Sequence, residues 1–248
     1  MRVAHLSPDA AAADVSLSAL AGGTTFYELS GVPYGGVSKY MPLAPGTYAL
    51  GMAPTEPGTN TPVVTAEVQV ASGTAVTLAA LGPNATIHIA TIEDDLTPPP
   101  AGTSRARVVQ ASTTQDDISV RTADGTELAA NAVFESVGDY VDLPPGRVDL
   151  TLTTPDGDTP AAVELRDAAA QTIFLLDSSS GELTALAVVD SAGVTETPVG
   201  GVATGGGALA VQAGSATATA AGLGLLAALA LVLTTGLALA RQAERRGA

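Results

Sequence analysis

Three residues near the start of the chain have the types found in nucleophilic catalytic triads. His5, Ser7 and Asp9 follow one another at intervals of two residues. In an extended segment, side chains two residues apart lie on one face and are separated by about 7 Å, which exceeds hydrogen-bond reach. Ser-Pro-Asp is also a typical turn sequence. We therefore predict that Ser7-Pro8-Asp9 ends a strand and that the chain has no catalytic residues.

Two short acidic groups could hold a cation. Glu93-Asp94-Asp95 and Asp156-Gly157-Asp158 are the densest carboxylate groups, and oxygen-rich loops bind calcium. Neither has the regular ligand spacing of a dedicated calcium loop. The first is interpreted as the solvated start of a linker and the second as a hairpin turn, so no metal site is predicted. The alternative function is a calcium-dependent binder or an envelope hydrolase that uses His5 and Asp9.

Composition excludes several other classes of site. The sequence contains no phosphate-binding Gly-rich loop followed by Lys-Ser or Lys-Thr, no dinucleotide fingerprint and no metal-binding histidine pair, so no cofactor is predicted. Cysteine is absent, which excludes disulfides and thiolate chemistry. The net charge of −15 repels phosphate backbones, and we expect no nucleic-acid partner.

The C-terminal region predicts a membrane anchor. Residues 217–240 contain no charged residue and would be about 36 Å long as a helix, enough to cross a hydrocarbon core of about 30 Å. Arg241, Arg245 and Arg246 follow directly, which places the C-terminus in the cytoplasm and the rest of the chain outside. That orientation requires an export signal, and we expect the precursor to begin upstream of Met1.

The same region has the order of a cell-wall sorting signal. Thr204-Gly205, the apolar span and the arginine tail follow one another as in substrates whose Thr-Gly bond a sortase cuts before joining the threonine to peptidoglycan. The usual Leu-Pro-any-Thr-Gly pentapeptide is missing, since Gly201-Val202-Ala203 precedes Thr204. A flexible stalk on a protein that stays in the membrane is the alternative.

Residues 1–96 alternate short apolar runs with turn residues, a pattern typical of an all-β fold. Pro98-Pro99-Pro100 predicts a stiff extended spacer that separates this block from the next. The expected strands are Val3–Leu6, Asp14–Leu20, Thr25–Leu29, Val37–Met41, Thr47–Met52, Val63–Val70, Thr74–Leu81 and Thr86–Ile92.

Residues 104–193 repeat the first block. Arg107 corresponds to Arg2, and Asp117–Val120 corresponds to Asp14–Leu17 after a two-residue contraction. The repeated tyrosine is expected to cap each core while its hydroxyl bonds to the backbone. Six residues recur one hundred positions later: Val37, Tyr40, Leu43, Pro45, Gly46 and Leu50 return as Val137, Tyr140, Leu143, Pro145, Gly146 and Leu150.

These residues carry a family resemblance. Val3-Ala4-His5-Leu6-Ser7-Pro8-Asp9-Ala10, Asp14-Val15 and Tyr40-Met41-Pro42-Leu43-Ala44-Pro45-Gly46-Thr47-Tyr48 resemble the bacterial and archaeal family called domain of unknown function 4397. The resemblance covers residues 2–95 and, more weakly, 105–193. It implies a β-sandwich module of exported or surface proteins, often in tandem and without an assigned activity. The second copy has Gln110-Ala111-Ser112-Thr113 in place of His5-Leu6-Ser7-Pro8, so any role of His5 and Asp9 belongs to the first copy.

The sequence therefore predicts an all-β protein with two tandem antiparallel β-sandwich domains, of immunoglobulin- or transthyretin-like type, and one C-terminal transmembrane helix. The expected function is non-catalytic display or binding at the cell surface, anchored to membrane or cell wall, with an unknown extracellular ligand or protein as partner. A buried His5 would favour display, and a pocket lined by His5, Asp9 and Asp14 would favour the alternative. The boundaries are 1–96 (first domain), 97–103 (linker), 104–193 (second domain), 194–216 (stalk), 217–240 (span) and 241–248 (tail).

Overall fold

Alternating apolar residues between Pro and Gly turns produce sixteen strands in the computed structural model, which describes residues 1–20, 25–55 and 61–192. The strands form two groups, which we call module 1 (residues 1–94) and module 2 (residues 104–192). Module 1 contains β1 (Arg2–His5), β2 (Ala13–Ala19), β3 (Thr25–Val32), β4 (Gly36–Val37), β5 (Gly46–Pro54), β6 (Val64–Val70), β7 (Ala75–Leu81) and β8 (His88–Asp94). Module 2 contains β9 (Ser104–Gln110), β10 (Ile118–Thr122), β11 (Glu127–Ala132), β12 (Val141–Leu143), β13 (Gly146–Thr154), β14 (Gly157–Leu165), β15 (Ala169–Asp177) and β16 (Leu183–Ala192).

Each module consists of two four-stranded sheets with the same strand order. The sheets that we call outer are β3-β2-β5-β6 in module 1 and β11-β10-β13-β14 in module 2. The inner sheets are β4-β1-β7-β8 and β12-β9-β15-β16. The all-β prediction is confirmed for the described residues, in which the single helical element is a 3-10 turn at Asn84–Thr86.

The prediction of purely antiparallel sheets is wrong for the inner pair. β1 runs parallel to β7, with Ala4 opposite Ala79, and β9 runs parallel to β15, with Val109 opposite Phe174. The chain enters each inner sheet through its first strand, builds the outer sheet, and returns beside that first strand in the same direction. Such a return needs a long crossover, which the intervening outer strands supply.

The inner sheets are buried on both faces. Alternate residues of β7 divide between two clusters: Leu78 and Ala80 pack with the outer sheet of module 1, whereas Ala79 and Leu81 pack against module 2. In β15, all nine residues are buried. Strands buried on both faces read as continuous apolar runs, which explains the sequences AVTLAAL and AAQTIFLLD. The sheets therefore stack in four layers, with three apolar cores between them.

Two details of the repeat differ from the prediction. The expected strand Val37–Met41 reduces to Gly36–Val37, because the chain then leaves the ladder and brings Tyr40 to the face between the modules. Val15 lies opposite Met52, and Val120 lies opposite Leu152. Leu152 is the repeat counterpart of Met52, because residues of that hairpin recur one hundred positions later. Their partners Val15 and Val120 therefore correspond to each other. This is the same offset as between Arg2 and Arg107, so the predicted two-residue contraction is absent.

The segment between the modules connects two bodies that already touch. It contains no strand and turns at Gly102, whose N–H donates to Asp167 Oδ1 at 2.7 Å. Gly102 has φ of +84°, a value that glycine adopts without a steric penalty. The modules thus pack directly against each other beside this segment, and the linker with its boundaries remains a prediction.

Within the described ranges, no helix is long and apolar enough to cross a membrane. The predicted stalk, membrane span and basic tail, with Thr204 and Gly205, lie outside the described residues.

Candidate functional site

The most elaborate polar arrangement lies on the face between the two inner sheets. Arg2 projects from β1 and is 1% exposed. Its Nε donates to Thr77 Oγ1 at 2.8 Å within module 1. Its two terminal nitrogens cross to module 2, where Nη1 donates to the Val189 carbonyl at 3.1 Å and Nη2 to Asp190 Oδ1 at 2.5 Å. One guanidinium thus bonds to both modules.

Arg107 repeats this pattern in the opposite direction. It projects from β9, and its Nε donates to Thr172 Oγ1 at 3.0 Å within module 2. Nη1 donates to the Glu93 carbonyl of module 1 at 2.7 Å, and Nη2 donates to Asp94. The two arginines therefore exchange partners across the face, as in a two-fold symmetric contact.

The accepting carboxylates are also satisfied from their own module. Asp94 Oδ2 accepts from the Tyr40 hydroxyl and from Thr77 Oγ1, both at 2.7 Å. The Tyr40 ring lies 4.7 Å from the Arg2 guanidinium carbon, a cation–π distance. In module 2, Tyr140 and Thr172 each donate to Asp190 Oδ2 at 2.8 Å, and the Tyr140 ring lies 4.8 Å from Arg107.

Burial explains why each of these groups has so many partners. The side chains of Asp94 and Asp190 are fully buried, and an isolated buried charge costs several kcal/mol. The forked guanidinium meets this cost because it offers five donors in a plane. Burial also raises the pKa of Tyr40 and of Tyr140, so both phenols remain hydrogen-bond donors at neutral pH. We call the two sets, each centred on one arginine, the arginine clamps.

The rest of the face is apolar. Its buried residues come from both modules: Ala4, Leu6, Ala79, Leu81 and Ile92 from module 1, and Val109, Ala111, Phe174 and Leu176 from module 2. Two polar contacts lie at its margin. His88 Nε2 is 2.5 Å from Glu135 Oε1, and the Tyr34 hydroxyl accepts from the Asp177 N–H at 3.0 Å.

Asp177 also organises a turn in module 2. Its carboxylate accepts from the hydroxyls of Ser112, Thr113 and Thr114 and from the Thr113 N–H. Burial alone would raise the pKa of Asp177, but these hydrogen bonds outweigh it, and the pKa lies below its usual value. The bonds pin the segment after β9 to the end of β15.

The three residues of triad type near the start of the chain do not come together. His5 is fully buried, with Nε2 3.0 Å from the Ala11 carbonyl, and Asp9 Oδ1 instead accepts from the Asn84 N–H at 2.7 Å. Among the residues that the structure describes, Ser7 Oγ and His5 Nδ1 are buried and have no hydrogen-bond partner. Asp14 lies elsewhere and accepts from Gly31 N–H at 2.8 Å. The segment 7–9 ends β1, as predicted.

The two acidic groups have different surroundings. Asp156 lies in the turn between β13 and β14, and Gly157 and Asp158 begin β14, so this group belongs to a hairpin as predicted, beside a recess of about 250 Å³. The interpretation of Glu93-Asp94-Asp95 as a solvated linker start is wrong for Asp94, which belongs to a buried clamp. Across residues 1–20, 25–55 and 61–192, no group of three or more His, Asp or Glu side chains is placed to hold a metal ion.

The repeat in the sequence identifies the arginine and the tyrosine of each clamp but not the carboxylate. Arg2 and Arg107 align in the repeat, and so do Tyr40 and Tyr140, but their common partner was missed. The expectation that each tyrosine hydroxyl bonds to the backbone is wrong, because both bond to a carboxylate. The available signal was an acidic residue at the end of the last strand of each module, Asp94 and Asp190.

Comparison with known proteins gives one family match, over part of the chain. A family model described as "Domain of unknown function (DUF4397)" matches residues 1–121, which comprise module 1 and the beginning of module 2. No curated protein matches the chain. Among solved structures, the Bacillus anthracis TIE protein matches with 11% identity and a TM-score of 0.25. That match covers 70% of this chain and 33% of the other, so the chain spans about a third of that protein.

Proposed function

We propose that this chain, which belongs through residues 1–121 to the family described as "Domain of unknown function (DUF4397)", is a non-catalytic cell-surface display or binding protein. Its folded part would be two tandem β-sandwiches of immunoglobulin- or transthyretin-like type. Its C-terminal region would anchor them to the membrane or the cell wall.

The observation that supports this proposal best is where the chain uses its buried charged groups. Arg2, Arg107, Asp94 and Asp190 are engaged in holding one module against the other. Catalytic groups, in contrast, are held open toward a substrate cleft. The arginine clamps would give a stiff two-module body, which suits presentation of a surface away from the envelope.

The surroundings of His5 also favour display over the alternative function. An imidazole that is to exchange protons with a substrate must reach it. His5 is fully buried in β1, Asp9 accepts a hydrogen bond in the turn after β1, and Asp14 accepts one in β2, so the three side chains have separate partners. We therefore do not propose the alternative function of a hydrolase or calcium-dependent binder that uses His5 and Asp9.

The anchor part of the proposal rests on the sequence. The charge-free run 217–240 followed by three arginines suits a single span with the modules outside the cell. Thr204-Gly205 would be the bond cut if a sortase transferred the chain to peptidoglycan. The acidic surface suits a soluble extracellular body whose partner is a protein or another non-nucleic-acid ligand.

Fractionation of cells with and without muramidase tests the proposal. We expect the chain in the envelope fraction, protected from added protease only in its C-terminal segment. Intact mass of the released protein distinguishes the anchors: a chain ending at Thr204 indicates sorting, and one that retains Arg246 indicates a permanent span. Recovery of the full chain in the cytoplasmic fraction would contradict the proposal.

A further inference from the structure

The face between the modules combines a symmetric polar part with an asymmetric apolar part. Each arginine clamp has the same donors and acceptors: a threonine of its own module, and a carbonyl and a carboxylate of the other. A contact built from equivalent residues in this way is isologous, the type that joins two identical subunits. The polar part alone would therefore allow a module to pair with a copy of itself.

The apolar part does not share this symmetry. The ladder registers make Ala79 equivalent to Phe174, because Ala4 lies opposite the first and Val109 opposite the second. Ala90 lies opposite Ala79, and Leu186 lies opposite Phe174, so Ala90 and Leu186 are equivalent as well. At both positions module 1 carries alanine and module 2 a large side chain.

The size difference is reversed at one other position of the face, where module 1 has Leu6 and module 2 has Ala111, so each module offers a large side chain where the other has alanine. Two copies of module 1 would face each other with alanine at positions 79 and 90, leaving space that closely packed proteins do not tolerate. Two copies of module 2 would bring together two Phe174 and two Leu186 side chains, which overfills the same layer. Gly35 of module 1 also lies beside this layer, since a Cβ there would be in ordinary van der Waals contact, 3.8 Å, with Leu176 and with Leu186.

We propose that this face is a pairing surface for the unlike module, and that it accepts module 2 of a second copy of the chain as well as module 2 of its own. The clamps join residues 2–94 to residues 107–190, all outside the connecting segment 95–103. The segment therefore raises the local concentration of the partner without forming the clamps. Exchange of modules between two neighbouring chains forms the same contacts and links the chains noncovalently.

The test uses the full chain in detergent micelles with a specific protease site inserted between the exposed residues Thr97 and Pro98. One preparation carries a C-terminal affinity tag, and the second is untagged and isotopically heavy. Both are cleaved, mixed and incubated for a week at 37 °C, and the tagged module 2 is captured for mass measurement. We expect it to carry one module 1, with heavy and light forms approaching their mixing ratio. Loss of module 1 in the wash, or absence of heavy module 1, would overturn the pairing proposal.

Capture of heavy module 2 on tagged module 2 would show that like modules also pair, which would contradict the proposed preference for the unlike module. Two variants sharpen the result. Arg2→Gln removes one clamp and should speed the appearance of heavy module 1 at least tenfold. Arg121→Gln removes an exposed arginine that pairs with Glu127 in the outer sheet, and it should leave the rate unchanged. Equal rates in the two variants would show that the clamps do not hold the modules together.

Discussion

The two modules form the arginine clamps with equivalent residues but end the strand beside them differently. In module 2, Asp177 ends β15 and accepts hydrogen bonds from three hydroxyls. The equivalent position in module 1 is Gly82, which follows β7 with φ of +87°. The equivalent of Ser112 is Ser7, whose buried hydroxyl has no partner in the structure. The polar groups that join the modules are thus the same in both, whereas the turn that follows the central inner strand differs between them.

The largest expected effect comes from removing either clamp carboxylate. Asp94→Ala and Asp190→Ala each leave a buried guanidinium without its main partner, and each should cost about 3–5 kcal/mol of unfolding free energy. Because the clamps are equivalent, the two losses should agree within about 1 kcal/mol. Urea unfolding measures both. A loss for one variant and none for the other would show that the clamps are not equivalent.

A smaller effect is expected at the strand end, and only in module 2. Asp177→Ala leaves three buried or half-buried donors without an acceptor and should cost about 1–3 kcal/mol. Gly82→Asp should not add the same stability to module 1, because a side chain at φ of +87° is strained. If Gly82→Asp stabilised module 1 by as much as Asp177→Ala destabilises module 2, the two strand ends would not differ in the way described.

The same carboxylate makes module 2 sensitive to acid. A pKa below its usual value means that the charged form is favoured in the folded state, so its contribution is present at neutral pH and is lost as the pH falls below about 4. Unfolding free energy measured from pH 7 to pH 2.5 should fall less in Asp177→Asn than in the parent chain. An identical slope would show that Asp177 is not linked to acid unfolding.

The smallest effect is expected from Tyr34, whose repeat counterpart is Phe134. Tyr34→Phe makes module 1 resemble module 2 and removes the acceptor for the Asp177 N–H, at a cost of about 1 kcal/mol. Burial raises the pKa of Tyr34 to about 12, so the tyrosine stabilises the fold below pH of about 10 and loses that contribution as the pH rises toward its folded value. The variant should lose less stability than the parent between these values. Tyr27→Phe, which loses an exposed bond to the Pro42 carbonyl, is the matched control.

Much of the fold could be predicted because local patterns determine it. Seven of the eight strands expected in module 1 form within a few residues of their predicted ends, since turn residues mark them. The parallel β1–β7 pair could not be predicted from local pattern, because it joins residues about 75 positions apart. One signal was nevertheless present. The run of four large apolar residues at positions 173–176 in β15 is typical of a strand covered on both faces, and therefore indicates contact between the modules.

The site was harder to predict than the fold. The residue types of His5, Ser7 and Asp9 suggest chemistry although their spacing argues against it, and in the structure their burial and separate partners keep them apart. The residues that do converge, Arg2 and Asp190, are separated by most of the folded chain. A buried ion pair of this kind becomes visible only when the register of both inner sheets is known.

Differential scanning calorimetry of the chain tests the central claim most directly, namely that the arginine clamps join the modules into one body. We expect a single unfolding transition for the β-rich part, with equal calorimetric and van 't Hoff enthalpies. In the Asp94→Ala, Asp190→Ala double variant, we expect this transition to split in two. Two separate transitions in the parent chain, unchanged in the double variant, would contradict the claim.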